Sequence, residues 1–281
     1  ECKKALTETD GDMEAAVDVL RKSGAAKVEK KAGRIAAEGI TRVASEGNTA
    51  VVVEVNSETD FVAKNATFQE FVQAVADKAL KASVDKAGDG EDVCAILDMQ
   101  SELEEKTLTI GEKLSIRRFQ KITGDCVASY IHGGGRIGVL VAADGASNDA
   151  IKEALTNVAM QIAALKPQYT SDSEVSAEYI EHEKEILMAQ IQNDPKESQK
   201  PEKVIQGMIQ GRINKEMKEI CLLDQVYVQD SDLTVGKYVD KVAKENGANV
   251  KVTKFVRFET GEGIEKKQED FAAEVAAQMN K

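Results

Sequence analysis

The chain has 281 residues, with 37 basic against 49 acidic side chains, a formal charge of −12 and 4% aromatics. That length suits about two domains, each able to bury a core, and 42% hydrophobic with 31% charged residues reads as globular rather than disordered. The acid excess argues against direct nucleic-acid binding, and no apolar run or signal-peptide pattern points to a membrane.

The cysteines, Cys2, Cys94, Cys126 and Cys221, lie far apart, and the histidines are only His132 and His182. No thiolate or histidine metal site is expected, and no cofactor is called for. Scattered single thiols suit a reducing, cytoplasmic setting. An acidic surface serves solubility, or a face meant for one specific protein.

The chain opens at Glu1 on Cys2-Lys3-Lys4-Ala5-Leu6, which reads as the middle of a helix, as though a preceding helix were missing. After Thr9-Asp10-Gly11-Asp12, apolar residues at Met13, Ala16, Val17 and Leu20 predict a second short helix, closed by Gly24. Residues 1–24 are thus a small helical module. A basic linker, 25–35, follows; from Arg21 to Arg34 the chain carries six basic residues, Lys31 among them, against Glu29 alone. It reads as a solvated tether or as a binding stretch.

From Ala36 the period becomes two. A hairpin over 40–55 turns at Glu46-Gly47-Asn48; a helix carries Phe68, Phe71, Val72, Val75 and Leu80; a further helix carries Val93, Ile96, Leu97 and Leu103; residues 114–119 alternate as a third strand. The plan recurs with strands at 127–131 and 137–141, a helix from Asp149 to Leu165 ended by Lys166-Pro167, and a third strand at 250–258. The fold class is therefore α+β: two related subdomains, each a three-stranded antiparallel sheet with helices on one face. They span 36–123, and 124–174 with 223–263. Apolar seams at Val175, Tyr179, Ile180, Ile186, Leu187, Ile191 and at Val204, Ile205, Met208, Ile209, Ile213, Met217, Ile220 predict an inserted antiparallel helical hairpin, 175–222. Its tight turn is expected at Asn193-Asp194-Pro195-Lys196. Residues 264–281 end in a short helix, 271–279.

The segment 56–65 holds Thr59-Asp60-Phe61-Val62 between a strand and a helix, where rigid elements present side chains. One reading makes Asp60 and Phe61 an interface pair, the carboxylate meeting a partner helix N-terminus and the ring acting as an anchor. The other makes Thr59 or Asp60 a helix cap and Phe61 an inward staple. His132-Gly133-Gly134-Gly135-Arg136 joins two strands and opens no helix, so it reads as a hairpin turn rather than a phosphate loop. Cys126 and His132 lie about 20 Å apart on an extended strand, too far for a thiol dyad. Asp144-Gly145-Ala146-Ser147-Asn148-Asp149 reads as a turn and N-cap rather than a calcium loop.

Taken together, several ordered motifs resemble the elongation factor Ts family. They are Lys3-Lys4-Ala5-Leu6, Lys30-Lys31-Ala32-Gly33-Arg34, Thr59-Asp60-Phe61-Val62-Ala63-Lys64-Asn65, Tyr130-Ile131-His132 and Phe258-Glu259-Thr260-Gly261-Glu262-Gly263. The resemblance implies a guanine-nucleotide exchange factor, not an enzyme, acting on elongation factor Tu in its GDP-bound and nucleotide-free forms. It implies a ubiquitin-associated-like N-terminal module lacking its first helix. It places Cys2, Lys3 and Lys31 at partner contacts, with Ile110 and Gly111 before the third strand. Asp60 and Phe61, with Thr59 and Val62, fall at the exchange positions, His132 at a contact to another partner domain, and Val228 at a further partner contact after the helical hairpin. The alternative is a ubiquitin-associated-like interaction adaptor without exchange activity.

Overall fold

The computed structural model describes residues 2–88 and 90–265; the helix expected at 271–279 lies outside the described residues. Two helices come first, α1 (Cys2–Glu8) and α2 (Met13–Ala32). Asp12 caps α2, its carboxylate accepting from the Ala15 amide at 3.1 Å. The expected stop at Gly24 is corrected: α2 runs through it, and most of the presumed linker is helix. The physical reason is a close approach. A Cβ on Gly24 would lie 2.9 Å from Leu108 Cδ1, so the glycine lets α2 pass near a later helix. The end comes at Gly33, with Lys30 and Lys31 in the last turn favouring the negative end of the helix dipole.

The first sheet contains β1 (Glu38–Glu46), β2 (Thr49–Ser57), β3 (Lys86–Ala87) and β4 (Ser115–Thr123), antiparallel in the order β1-β2-β4-β3. It has four strands, not the expected three. Edge strand β3 is too short to show any alternation. Between the strands lie α3 (Asp60–Ala63), α4 (Ala66–Lys81), α5 (Val93–Ile96) and α6 (Gln100–Ile110). The single helix expected around Val93 to Leu103 is thus two, broken at 97–99, where Asp98 takes a positive φ of 51°.

The valine run of β2 is buried on both faces, which is why it is nearly continuous. Val51, Val53 and Val55 pack with Phe68, Phe71, Val72 and Val75 of α4. Ala50 and Val52 point the other way, onto Leu140, Ala142, Val256 and Phe258 of the second sheet. Each large apolar side chain so buried stabilises the fold by about 1.5–3 kcal/mol. The layers run helix, sheet, sheet, helix, and the two sheets share one of their cores.

The second sheet is β5 (Cys126–His132), β6 (Ile137–Asp144) and β9 (Lys251–Glu259), in the order β5-β6-β9. Helix α7 (Asp149–Leu165), capped by Asn148, covers its outer face with Ile151, Leu155, Val158 and Ile162. A small addition escaped sequence reading: the ribbon of β7 (Val226–Tyr227) and β8 (Asp230–Thr234), then α10 (Val235–Glu245), whose Val235 and Val239 complete this core. The hairpin comprises α8 (Ala177–Asn193) and α9 (Glu202–Ile220), with Ile191, Ile209 and Ile213 buried between them. Its turn is longer than expected, covering 194–201, and Arg212 holds it through Glu197 at 2.8 Å. Seam positions Ile186 and Val204 are exposed.

The β5–β6 turn ties the sheets together. Gly135 has φ +110°, and its carbonyl accepts from the Thr41 amide, the Thr41 hydroxyl and the Thr260 hydroxyl at 2.6, 2.8 and 3.1 Å. A Cβ there would meet Ile40 Cβ at 2.8 Å and Thr41 O at 3.0 Å. Gly135→Ala is therefore expected to cost about 1–3 kcal/mol, read as a lower urea midpoint. An unchanged midpoint would mean that the turn relaxes freely.

Candidate partner-binding site

Strand β2 delivers the chain to the loop before α3. Thr59 is extended, but its side chain caps nothing. Its hydroxyl donates instead to Glu112 Oε1 at 2.7 Å, while Glu112 Oε2 accepts from the Glu58 and Thr59 amides at 3.1 and 3.0 Å. Glu58 answers from the other side: its carboxylate accepts from the Lys113 amide and pairs with Arg34 at 3.2 Å. Lys113 Nζ donates to the carbonyls of Ala32 and Arg34 at 2.7 and 2.8 Å, and the Lys31 ammonium donates to the Gly111 carbonyl. The end of α2, the end of α6 and the 56–65 loop thus meet in one place.

On this platform Phe61 is 79% exposed and Val62 8%. Val62 anchors the loop in the first core, and Phe61 stands in solvent. The inward-staple reading is therefore corrected. The cap of α4 is Asn65, whose side chain accepts from the Phe68 amide at 3.2 Å. Asp60 is also exposed and lies 3.5 Å from Lys64, a pair worth only about 0.3–0.5 kcal/mol. The carboxylate and the ring are free to meet something else.

The other expected contacts fall in four places. Lys31, Ile110 and Gly111 join the Phe61 platform, with Ile110 half-buried against the first core and Gly111 exposed. Cys2 begins α1, and Lys3 is exposed on it. His132 is exposed at the end of β5, its Nδ1 3.0 Å from the Tyr130 hydroxyl. Val228 is 56% exposed between β7 and β8, its amide donating to buried Gln161 at 3.0 Å. Sequence reasoning missed Glu58, Glu112, Lys113 and Arg34 as a group. The signal available was Gly111, a left-handed helix end with φ +89°, which turns Glu112 and Lys113 back across the loop.

Nucleophilic chemistry finds little footing. Burial, then Asp92 and Glu102, push the Cys94 thiol up to about 11. Burial, then Asp224, does the same for Cys221. Cys126 is buried at the opposite end of β5 from His132. Among the described residues no cluster of three His, Cys, Asp or Glu could hold a metal ion. Among them too, no helix is long and apolar enough to cross a membrane.

Phe61 is thus an exposed aromatic on a locked loop. The family model described as Elongation factor TS matches residues 58–262. The chain belongs to the elongation factor Ts family. It is 49% identical to Elongation factor Ts of Clostridioides difficile (strain 630), covering 99% of this chain and 93% of that protein. It is 48% identical to Elongation factor Ts of Trichlorobacter lovleyi, over 99% of this chain and 92% of that one. Elongation factor Ts of Clostridium botulinum (strain Alaska E43 / Type E3) is 47% identical over the whole of this chain. Likeness of this extent to elongation factor Ts makes this a translation elongation factor. The adaptor alternative, which needs only the N-terminal helices, is not favoured.

Proposed function

We propose that the chain is the nucleotide-exchange factor of elongation factor Tu. It binds the GDP-bound form, inserts Phe61 between partner helices with Asp60 beside it, and disturbs the magnesium and phosphate site. GDP leaves, and the nucleotide-free complex persists until GTP enters. The observation that carries this reading is the 79% exposure of Phe61 on a loop whose neighbours Thr59 and Val62 are held fast. Loosening GDP by about 10³–10⁴ needs roughly 4–5.5 kcal/mol of differential binding, and GDP must weaken the factor by the same amount. No covalent bond changes, so the protein is not an enzyme. It works in the cytoplasm, with no membrane or direct nucleic-acid contact.

In this reading the helical module 1–24 and the stretch 25–35 dock first, through Cys2, Lys3 and Lys31. The subdomain 36–123 presents Thr59, Asp60, Phe61, Val62, Ile110 and Gly111. The subdomain of 124–174 and 223–263 presents His132 to a second partner domain and Val228 as a further contact.

Mixing the chain with elongation factor Tu loaded with fluorescent GDP tests the proposal. Release accelerating with factor concentration to a plateau is expected; binding without acceleration would make the chain an adaptor. Lys31→Ala is expected to raise the half-saturating concentration about tenfold or more, the loss of one charge-assisted contact. An unchanged value at matched salt would remove Lys31 from the binding surface.

A further inference from the structure

Helix α3 is a single turn, Asp60–Ala63, and no side chain caps it. A turn that short does not hold itself, because nucleating a helix fixes several dihedrals for one hydrogen bond. Phe61 adds nothing, since it packs on little of the chain. Something outside the loop has to set its direction. Val62 fixes the loop from below. From the side, the two oxygens of Glu112 take all three donors of the preceding residues: the Glu58 amide, the Thr59 amide and the Thr59 hydroxyl. The half-buried Glu112 is itself fixed on both sides, at Gly111 by Lys31 and at Lys113 by Glu58, Ala32 and Arg34. Glu58 and the 112–113 strap therefore clasp each other in both directions.

Resting on the exchange reading, we infer that Glu112 is a positioning residue: its carboxylate aims Phe61 and Asp60, and the strap carries the position of α2 to that loop. Glu112 is half-buried under the loop and acts through Thr59. Removing it leaves the wedge present but free to swing, so the ordering is paid on binding instead of on folding. The loss then appears in the step that needs an aimed ring, not in first docking.

The test is GDP release from elongation factor Tu, followed by stopped flow against factor concentration, with wild type, Glu112→Ala, Glu112→Gln and Thr59→Val. Glu112→Ala is expected to lower the plateau rate about tenfold with little change in half-saturation. Glu112→Gln, which keeps one acceptor oxygen, and Thr59→Val, which removes one donor, are expected between it and wild type. Hydrogen exchange at the Thr59 amide should accelerate in Glu112→Ala while the β2 amides stay protected; loss of protection throughout β2 would instead mark a general structural role and overturn the inference. A wild-type plateau in Glu112→Ala would also overturn it. If wild type itself failed to accelerate release, the exchange reading would fall, while Thr59 amide exchange would still report whether Glu112 orders the loop.

Discussion

Glu54→Gln is expected to lower the unfolding free energy by about 3 kcal/mol, the low end of what breaking a buried ion pair costs. Glu54 is 0% exposed within the valine run of β2. Its oxygens accept from Arg117 Nη1 at 3.0 Å, Arg118 Nε at 2.6 Å, Asn56 Nδ2 at 3.0 Å and the Gly261 amide at 2.8 Å. The arginines are partly exposed, so water shares the cost of stranding them, which sets the estimate low in the range. The network continues across the molecule. Arg117 and Arg118 donate to the carbonyls of Glu262 and Glu259, and the Arg118 guanidinium lies 4.2 Å from the centre of the Phe258 ring. Burial opposes ionisation of Glu262, but Lys166, at 2.7 Å, with Arg118 and Arg257, outweighs it and leaves the carboxyl below its usual range. One buried carboxylate thus ties the first sheet to the end of β9. Urea unfolding with an unchanged m-value and a lower midpoint is the expected reading; a midpoint equal to wild type would mean that the network adds nothing net.

Phe61→Ala is expected to do the reverse: leave stability alone and abolish most of the exchange. At 79% exposure the ring buries little, so its removal should change stability by less than about 0.5 kcal/mol. As a partner hot spot it should supply about 2–4 kcal/mol, a loss of roughly 30-fold to 1,000-fold in release. Few residues give so clean a division, because a core phenylalanine would lose both together. Phe68, fully buried in the same subdomain, is the natural contrast.

Periodicity carried most of the fold. The hairpins, α4 and α7 follow from apolar spacing, and α7 begins at Asp149 after its Asn148 cap. What failed were features set by tertiary contacts. Gly24 looks like a helix stop in sequence, and only the approach of Leu108 shows it to be a packing device. Edge strand β3 and the β7–β8 ribbon are too short to have a period. At the site, the strand-to-helix position and composition of 56–65 marked Asp60 and Phe61 but left inward and outward readings open. The outward one prevails because Asn65 takes the cap and Val62 takes the core. Glu112 lies more than fifty positions from Thr59, and no local pattern joins them. Glu54 likewise reads only as a polar interruption until β4 and Gly261 are brought beside it.

The exposed ring of Phe61 is the group expected to drive GDP release. The most direct test of that role is stopped-flow release of fluorescent GDP from elongation factor Tu, at saturating factor, with wild type, Phe61→Ala and Asp60→Asn compared. The expected result is a plateau rate at least about 30-fold lower for Phe61→Ala, a smaller fall for Asp60→Asn, and unchanged unfolding midpoints for both. Equal plateau rates for all three proteins would mean that neither Phe61 nor Asp60 drives GDP release.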